Sequence, residues 1–376
     1  MSGAGGAGTT LASGGVTSSP FGTGGAFASG GAPSTGGAGV ETGGFGVETG
    51  GSGGEPSASG GASGASGGSS SRTCGGPSNT QPFGCTFAWG TNEPSGALSS
   101  YSYLDFVSKW VGYEIAADGS FASCDGRTWL AGVAQTSLVP VYYAYFIGYL
   151  GHANGLPDGN QAPNGPNLTT DAATLIRKDR AAIVSAYGEY ARRSYAAWPT
   201  RPLVWLLEGD FVQYTDSTEK QALSYAELAQ LAADITCAIK SNMPNAVVAL
   251  NQSTWNADQV TGDYWGAMKT ANVAYDLVWT TGVADNGGFF DASENSTTYN
   301  HATATYAYVH GLTGKPLYVD TSFGLSAMAD SWSGASAATI DARISEGVIA
   351  ANVTSPDANY ASRLAALKPG LDAVCR

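Results

Sequence analysis

The first 71 residues contain neither lysine nor arginine. A stretch without basic residues, dominated by Gly, Ala, Ser and Thr, cannot bury enough apolar surface to offset the entropy of ordering it. Over the whole chain basic residues are also scarce, with 17 Lys and Arg against 30 Asp and Glu and a formal net charge of −13. That balance excludes nucleic acid and anionic membrane surfaces as natural partners. No apolar run approaches the roughly 20 residues of a membrane span. The three histidines, His152, His301 and His310, are scattered, and there is no C-x-x-C pair. This argues against a metal site, and nothing calls for a cofactor.

Residues 1–72 read as a disordered low-complexity linker. They carry the near-repeat Gly39-Val40-Glu41-Thr42-Gly43-Gly44 and Gly46-Val47-Glu48-Thr49-Gly50-Gly51. Treated as a flexible coil, such a tether spans roughly 45 Å root-mean-square. Its Gly64-Ala65-Ser66-Gly67-Gly68 matches a serine-hydrolase elbow, but no strand precedes it and no helix follows, so it carries no weight.

Residues 73–376 are a different material, rich in Trp and Tyr and long enough for one large single-core domain. The start of the chain has neither a basic n-region nor an apolar h-region. The tether, the five cysteines and the low lysine content nonetheless point to an extracellular or cell-surface protein whose leader lies upstream or has been removed. Cys74, Cys85, Cys124, Cys237 and Cys375 allow two disulfides with one thiol left over, in a pairing that spacing does not give.

Within this domain short apolar runs alternate with helical patterns. Strands are expected at 84–90, 110–115, 139–147, 202–207, 246–250, 275–280, 315–319 and 347–351. Between them, Tyr103, Leu104, Phe106, Val107 and Trp110 share one helical face. Thr170 and Asp171 cap a helix carrying Ile176, Ile183 and Tyr187, and Ser224 with Glu227 forms a capping box. This alternation predicts an α/β fold, a TIM-like (β/α) barrel, closed or distorted, with its chemistry at the C-terminal ends of the strands.

Those ends carry Trp89 and Glu93, Glu208 and Asp210, Asn251 and Trp255, Asp285 and Asn286, Asp320, and Asn352. Glu208 and Asp210 stand out. In an extended chain residues i and i+2 face the same side, so the two carboxylates project together and one holds its proton to higher pH, as a general acid must. The competing structural reading is that they cap the next helix or pair with an arginine such as Arg201. Asp320 is a candidate base, with Asp285 a weaker one because Asp-Asn-Gly-Gly is an ordinary turn. Trp89, Tyr145, Trp255 and Trp279, together with the Asn251 amide and the Asp285 carboxylate, make a platform suited to sugar rings, whose C–H faces stack on aromatics while their hydroxyls bond to amides and acids. Trp205, inside its strand, reads as core.

Two of these motifs resemble family-6 glycoside hydrolases, inverting cellulases with a distorted α/β barrel. Leu207-Glu208-Gly209-Asp210 is similar to the family's Glu-Pro-Asp, and Asp320-Thr321-Ser322 is similar to its later Asp-Thr-Ser. The resemblance implies Asp210 as general acid, Glu208 as the neighbour that tunes it and Asp320 as base. It departs at Asn251, where an aspartate is expected, and in the lack of a Pro-x-Arg-Asp-Cys motif after Tyr145. The expectation is a secreted, monomeric glycoside hydrolase acting on a β-linked polysaccharide or oligosaccharide, cellulose or another β-glucan first. The alternatives are a retaining barrel glycosidase using Glu208 and a non-catalytic carbohydrate-binding barrel.

Overall fold

The computed structural model describes residues 74, 78–92, 94, 96–159, 161–162, 164–209, 211–253, 258–284, 305–320, 329–354 and 356–375. The expected tether and the candidates Glu93, Asp210, Trp255, Asp285 and Asn286 lie outside these residues, as do the residues just after Asp320. Eight parallel strands follow one another around a closed barrel: β1 (Ala88–Asn92), β2 (Phe106–Val111), β3 (Val139–Ala144), β4 (Leu203–Leu207), β5 (Ala246–Gln252), β6 (Leu277–Thr281), β7 (Leu317–Asp320) and β8 (Val348–Asn352). β8 pairs back onto β1, with Ala88 opposite Ala350 and Gly90 opposite Asn352. The barrel expected from the alternation is therefore closed.

The period of two along each strand divides the apolar residues into two cores. Val204 and Leu206 of β4, Val247 and Ala249 of β5, and Tyr143, Trp279 and Tyr318 pack inside the barrel. Leu203, Trp205 and Leu207, alternating with them, face the helices, as do Val248 and Leu250. Gly90 shows how tight the inner core is. A Cβ there would lie 2.0 Å from the Phe106 ring.

The outer layer comprises α1 (Asp125–Val133), α2 (Phe146–Ala153), α3 (Leu168–Ala197), α4 (Tyr225–Asn242), α5 (Asp258–Thr270), α6 (Tyr306–Thr313), α7 (Ala329–Ser333), α8 (Ala337–Ser345) and α9 (Tyr360–Leu367). The capping box of α4 forms as expected, with the Ser224 hydroxyl accepting from the Glu227 N–H and the Glu227 carboxylate accepting from the Ser224 N–H. None of the described helices is long and apolar enough to cross a membrane.

Four local expectations are corrected. The segment read as a helical face at 103–110 is largely β2, because Phe106 and Trp110 alternate with Val107 and Val111 on a strand that needs partners on both sides. Ile115, expected to end that strand, makes only an isolated antiparallel bridge to Phe121. β3 stops at Ala144, and Phe146 and Ile147 open α2. The cap of α3 is Asn167 rather than Thr170 or Asp171: its side chain accepts from the Thr169 N–H. The cysteine count holds, with Cys74–Cys237 and Cys85–Cys375 bridged and Cys124 buried and free.

Candidate active site

Side chains of β3 and of the adjacent strands β7 and β8 meet at the C-terminal end of the barrel. The Tyr143 hydroxyl, on β3, donates to Asp320 Oδ2 at the end of β7. Asn352, at the end of β8, places its Nδ2 3.0 Å from the Tyr143 oxygen and 3.1 Å from the same Asp320 oxygen. The Ser108 hydroxyl of β2 lies 3.4 Å from Asn352 Oδ1 and 3.2 Å from Asn92 Oδ1 on β1. β3 and β7 lie on opposite sides of the barrel, so this network must cross the lumen. Burial and the adjacent Asp320 carboxylate hold the Tyr143 phenol well above its usual range. It therefore stays a neutral donor to a carboxylate that is 2% exposed.

Aromatic side chains stand over this network. Trp110, at the end of β2, stacks on Tyr143 with ring centroids 5.0 Å apart. Trp279 of β6 meets Tyr143 edge-on at 5.7 Å and donates its indole N–H to the Leu207 carbonyl at 2.9 Å. Tyr145, just past β3, contacts Trp110 at 6.1 Å. Asn251, in phase with the inward residues of β5, is buried, and its Oδ1 has no hydrogen-bond partner among the described residues. Trp89 belongs elsewhere. It packs on Phe87 in the helix-facing core and takes no part in the mouth.

Glu208 departs from the expected geometry. The alternation of Val204 and Leu206 would send it into the lumen, but its backbone turns to φ +33°. One carboxylate oxygen, Oε1, instead accepts from the Ile147 N–H at 2.9 Å in the first turn of α2, and from the Tyr187 hydroxyl of α3. That oxygen fills the role of an N-terminal helix anchor, where backbone amides and the helix dipole favour a negative charge. Glu208 thus meets the start of α2, which precedes it in the chain, rather than capping the next helix as the competing reading expected.

The sequence reading missed Trp110, Tyr143, Ser108 and Asn92. Strand parity from Phe106 through Ser108 to Trp110 would have marked the β2 residues, but the helical reading of 103–110 hid it. Among the described residues no group of three or more His, Cys, Asp or Glu could hold a metal ion.

Beyond β4 the loop to α4 is pinned on α3. The Lys220 N–H donates to the Thr170 carbonyl at 2.7 Å, and the 5% exposed Glu219 accepts from the Ala173 N–H at 3.2 Å. Burial pushes the Glu219 carboxyl up to about 7 from 4.5, and Asp171 and Asp216 add to the rise. An unfolded glutamate ionises near 4.5 and the folded one near 7, so the folded state loses stability as pH rises through that window. Discounted for the water that reaches these neighbours, Glu219→Gln is expected to stabilise the protein by about 1–2 kcal/mol above pH 8 and to be neutral at pH 4. Urea denaturation at both pH values measures this, and an equal effect at each would overturn the assignment.

No protein-family model and no curated protein matches the sequence. Among solved structures the chain is similar to a family-26 β-mannanase from Bacteroides ovatus, with a TM-score of 0.50 and 11% identity over 77% of this chain and 91% of that one. A β-1,4-mannanase from the sea hare Aplysia kurodai aligns with a TM-score of 0.47 and 10% identity over 76% and 93% of the two chains. A modular endo-β-1,4-mannanase from Cellulomonas fimi gives 0.46 and 11% over 77% and 72%. At such identity the likeness is one of fold, and the first of the three carries it. The chain is a TIM-like (β/α) barrel.

Proposed function

We propose that this chain is a glycoside hydrolase that cleaves a β-linked polysaccharide, with cellulose, other β-glucans and β-mannan as the polymers to test first. The observation that carries the reading is Asp320, a carboxylate held at the C-terminal mouth of the barrel by Tyr143 and Asn352, with Trp110 and Trp279 packed on Tyr143 and Tyr145 on Trp110. Mannan enters because the Bacteroides ovatus neighbour is a β-mannanase. Assignment to family 6 rests on the two short motifs alone.

In this mechanism Asp210 protonates the glycosidic oxygen as its bond to the anomeric carbon breaks. A water molecule attacks that carbon from the opposite face and gives its proton to Asp320. Glu208, two residues before Asp210 in the sequence, is anchored to α2 and α3. If Asp320 itself attacks the carbon, the reaction retains configuration. Carboxylate separations of about 6.5–9.5 Å and 5–5.5 Å distinguish the two courses, and the anomer first released reports which operates. Glu208 as acid/base is the weaker assignment, since its Oε1 is engaged by the Ile147 amide and the Tyr187 phenol away from the lumen. Asn251, Trp279 and Tyr145 would contact the sugar, with Trp255 and Asp285 further contacts. Two disulfides support an oxidising, extracellular setting, in which residues 1–72 act as a linker to a monomeric catalytic domain.

Reducing-sugar release by the full chain from cellulose, mixed-linkage β-glucan, mannan, xylan and chitin tests the proposal. Release from at least one is expected. Binding without release across the panel would favour a carbohydrate-binding barrel. The neutral Asn251 and the withdrawn Glu208 speak for that second reading, because they leave Asp320 as the carboxylate of the described mouth.

A further inference from the structure

Aromatic rings extend from the mouth in one direction, over the β2–β3 side. Tyr143, bonded to Asp320, stacks under Trp110 at 5.0 Å. Trp110 meets Tyr145 at 6.1 Å, Tyr145 meets Tyr149 of α2 at 5.5 Å, and Tyr149 meets Tyr113 at 6.3 Å, each edge to face. Tyr143 and Tyr145 are buried, at 2% and 7%, Trp110 and Tyr149 are half-buried, and Tyr113 at the outer end is 46% exposed. The outer end is held in place. The Tyr113 hydroxyl donates to Asp125, whose backbone N–H donates to Glu114 Oε1 at 2.6 Å. Lys109 Nζ stands 5.9 Å from the Tyr113 ring centre.

Ordinary core packing accounts for the inner rings of this file. It does not account for Tyr113, which keeps nearly half its surface in water while fixed by a hydrogen bond. A rigid, exposed aromatic face with charged groups beside it is what a sugar ring stacks on. We propose that the file is a row of subsites leading away from Asp320, in which Tyr149 and Tyr113 hold units of a β-linked polysaccharide remote from the cleaved bond. The inference rests on the reading of the mouth as a polysaccharide site, with which the file is continuous.

Remote subsites affect long substrates and spare short ones. The double variant Y113A/Y149A is expected to lower kcat/KM on the cleaved polymer by roughly 10-fold. On a short aryl glycoside it should stay within about twofold of the parent. Electrophoresis of the full chain through gels cast with soluble β-glucan or galactomannan reads binding without turnover. There the parent is retarded, Y113A/Y149A runs faster, and Y113W, which keeps a ring, is retarded again. Equal losses on polymer and aryl glycoside, or a double variant as retarded and as active on polymer as the parent, would overturn the row. A parent that binds polymer without cleaving it would end the hydrolase reading and leave the row standing. A parent that neither binds nor cleaves any polymer ends both.

Discussion

Replacing Asp320 with asparagine is expected to lower kcat/KM on the cleaved polysaccharide by about 10²–10⁴-fold, the range of a lost general base. The substitution keeps shape and volume, and an amide oxygen can still accept from Tyr143 and Asn352. The fold should therefore persist, and the loss should fall on kcat more than on KM if the role is chemical. Tyr143→Phe gives a graded check, since it removes one donor but leaves the carboxylate and the ring that stacks on Trp110. A smaller loss is expected there, with the pH–rate profile altered. Activity of Asp320→Asn within a few-fold of the parent would remove Asp320 from the mechanism and return the base role to Asp285.

The second large effect concerns stability. Lys240, in the last turn of α4, places its Nζ 2.6 Å from Asp276 Oδ2, and the two side chains are 3% and 1% exposed. Asp276 also accepts from the Val248 N–H at 2.8 Å and the Asn79 N–H at 3.2 Å, so it ties β5 and the chain before β1 to the base of β6. A buried pair of this kind contributes little net against an apolar replacement of both partners, yet removing one partner strands a charge in the interior. Lys240→Met is thus expected to destabilise the protein by about 3–5 kcal/mol. The double variant K240M/D276N, which removes the stranded charge while keeping an acceptor for Val248, should recover part of that loss. Guanidinium denaturation of both variants measures it. A loss under about 1 kcal/mol for Lys240→Met would mean that water reaches the pair.

Much of the barrel was legible because it is written in local periods. The apolar runs ending at Leu207, Leu250 and Thr280 and the capping box at Ser224 and Glu227 need only neighbouring residues to be recognised. The same holds for the number of disulfides, which follows from five cysteines, although not for the Cys85–Cys375 pairing across 290 residues. β2 was misread because Tyr103, Leu104, Phe106, Val107 and Trp110 satisfy a helical period as well as a strand's. Only pairing with β1 and β3 separates the two.

The sequence alone determined the barrel class, the strand ends that hold acids and amides, and the presence of an acid at Glu208 and Asp320. The tertiary structure decided what those acids face. Asp320 meets Tyr143 across 177 residues and the width of the lumen, while Glu208, one residue past a strand whose pattern aims it inward, turns out to α2 and α3. It likewise sent Trp89 to the outer core and Trp110 to the mouth. Periodicity records which side of a strand a residue takes, whereas barrel closure and a single backbone turn at φ +33° determine what waits on that side.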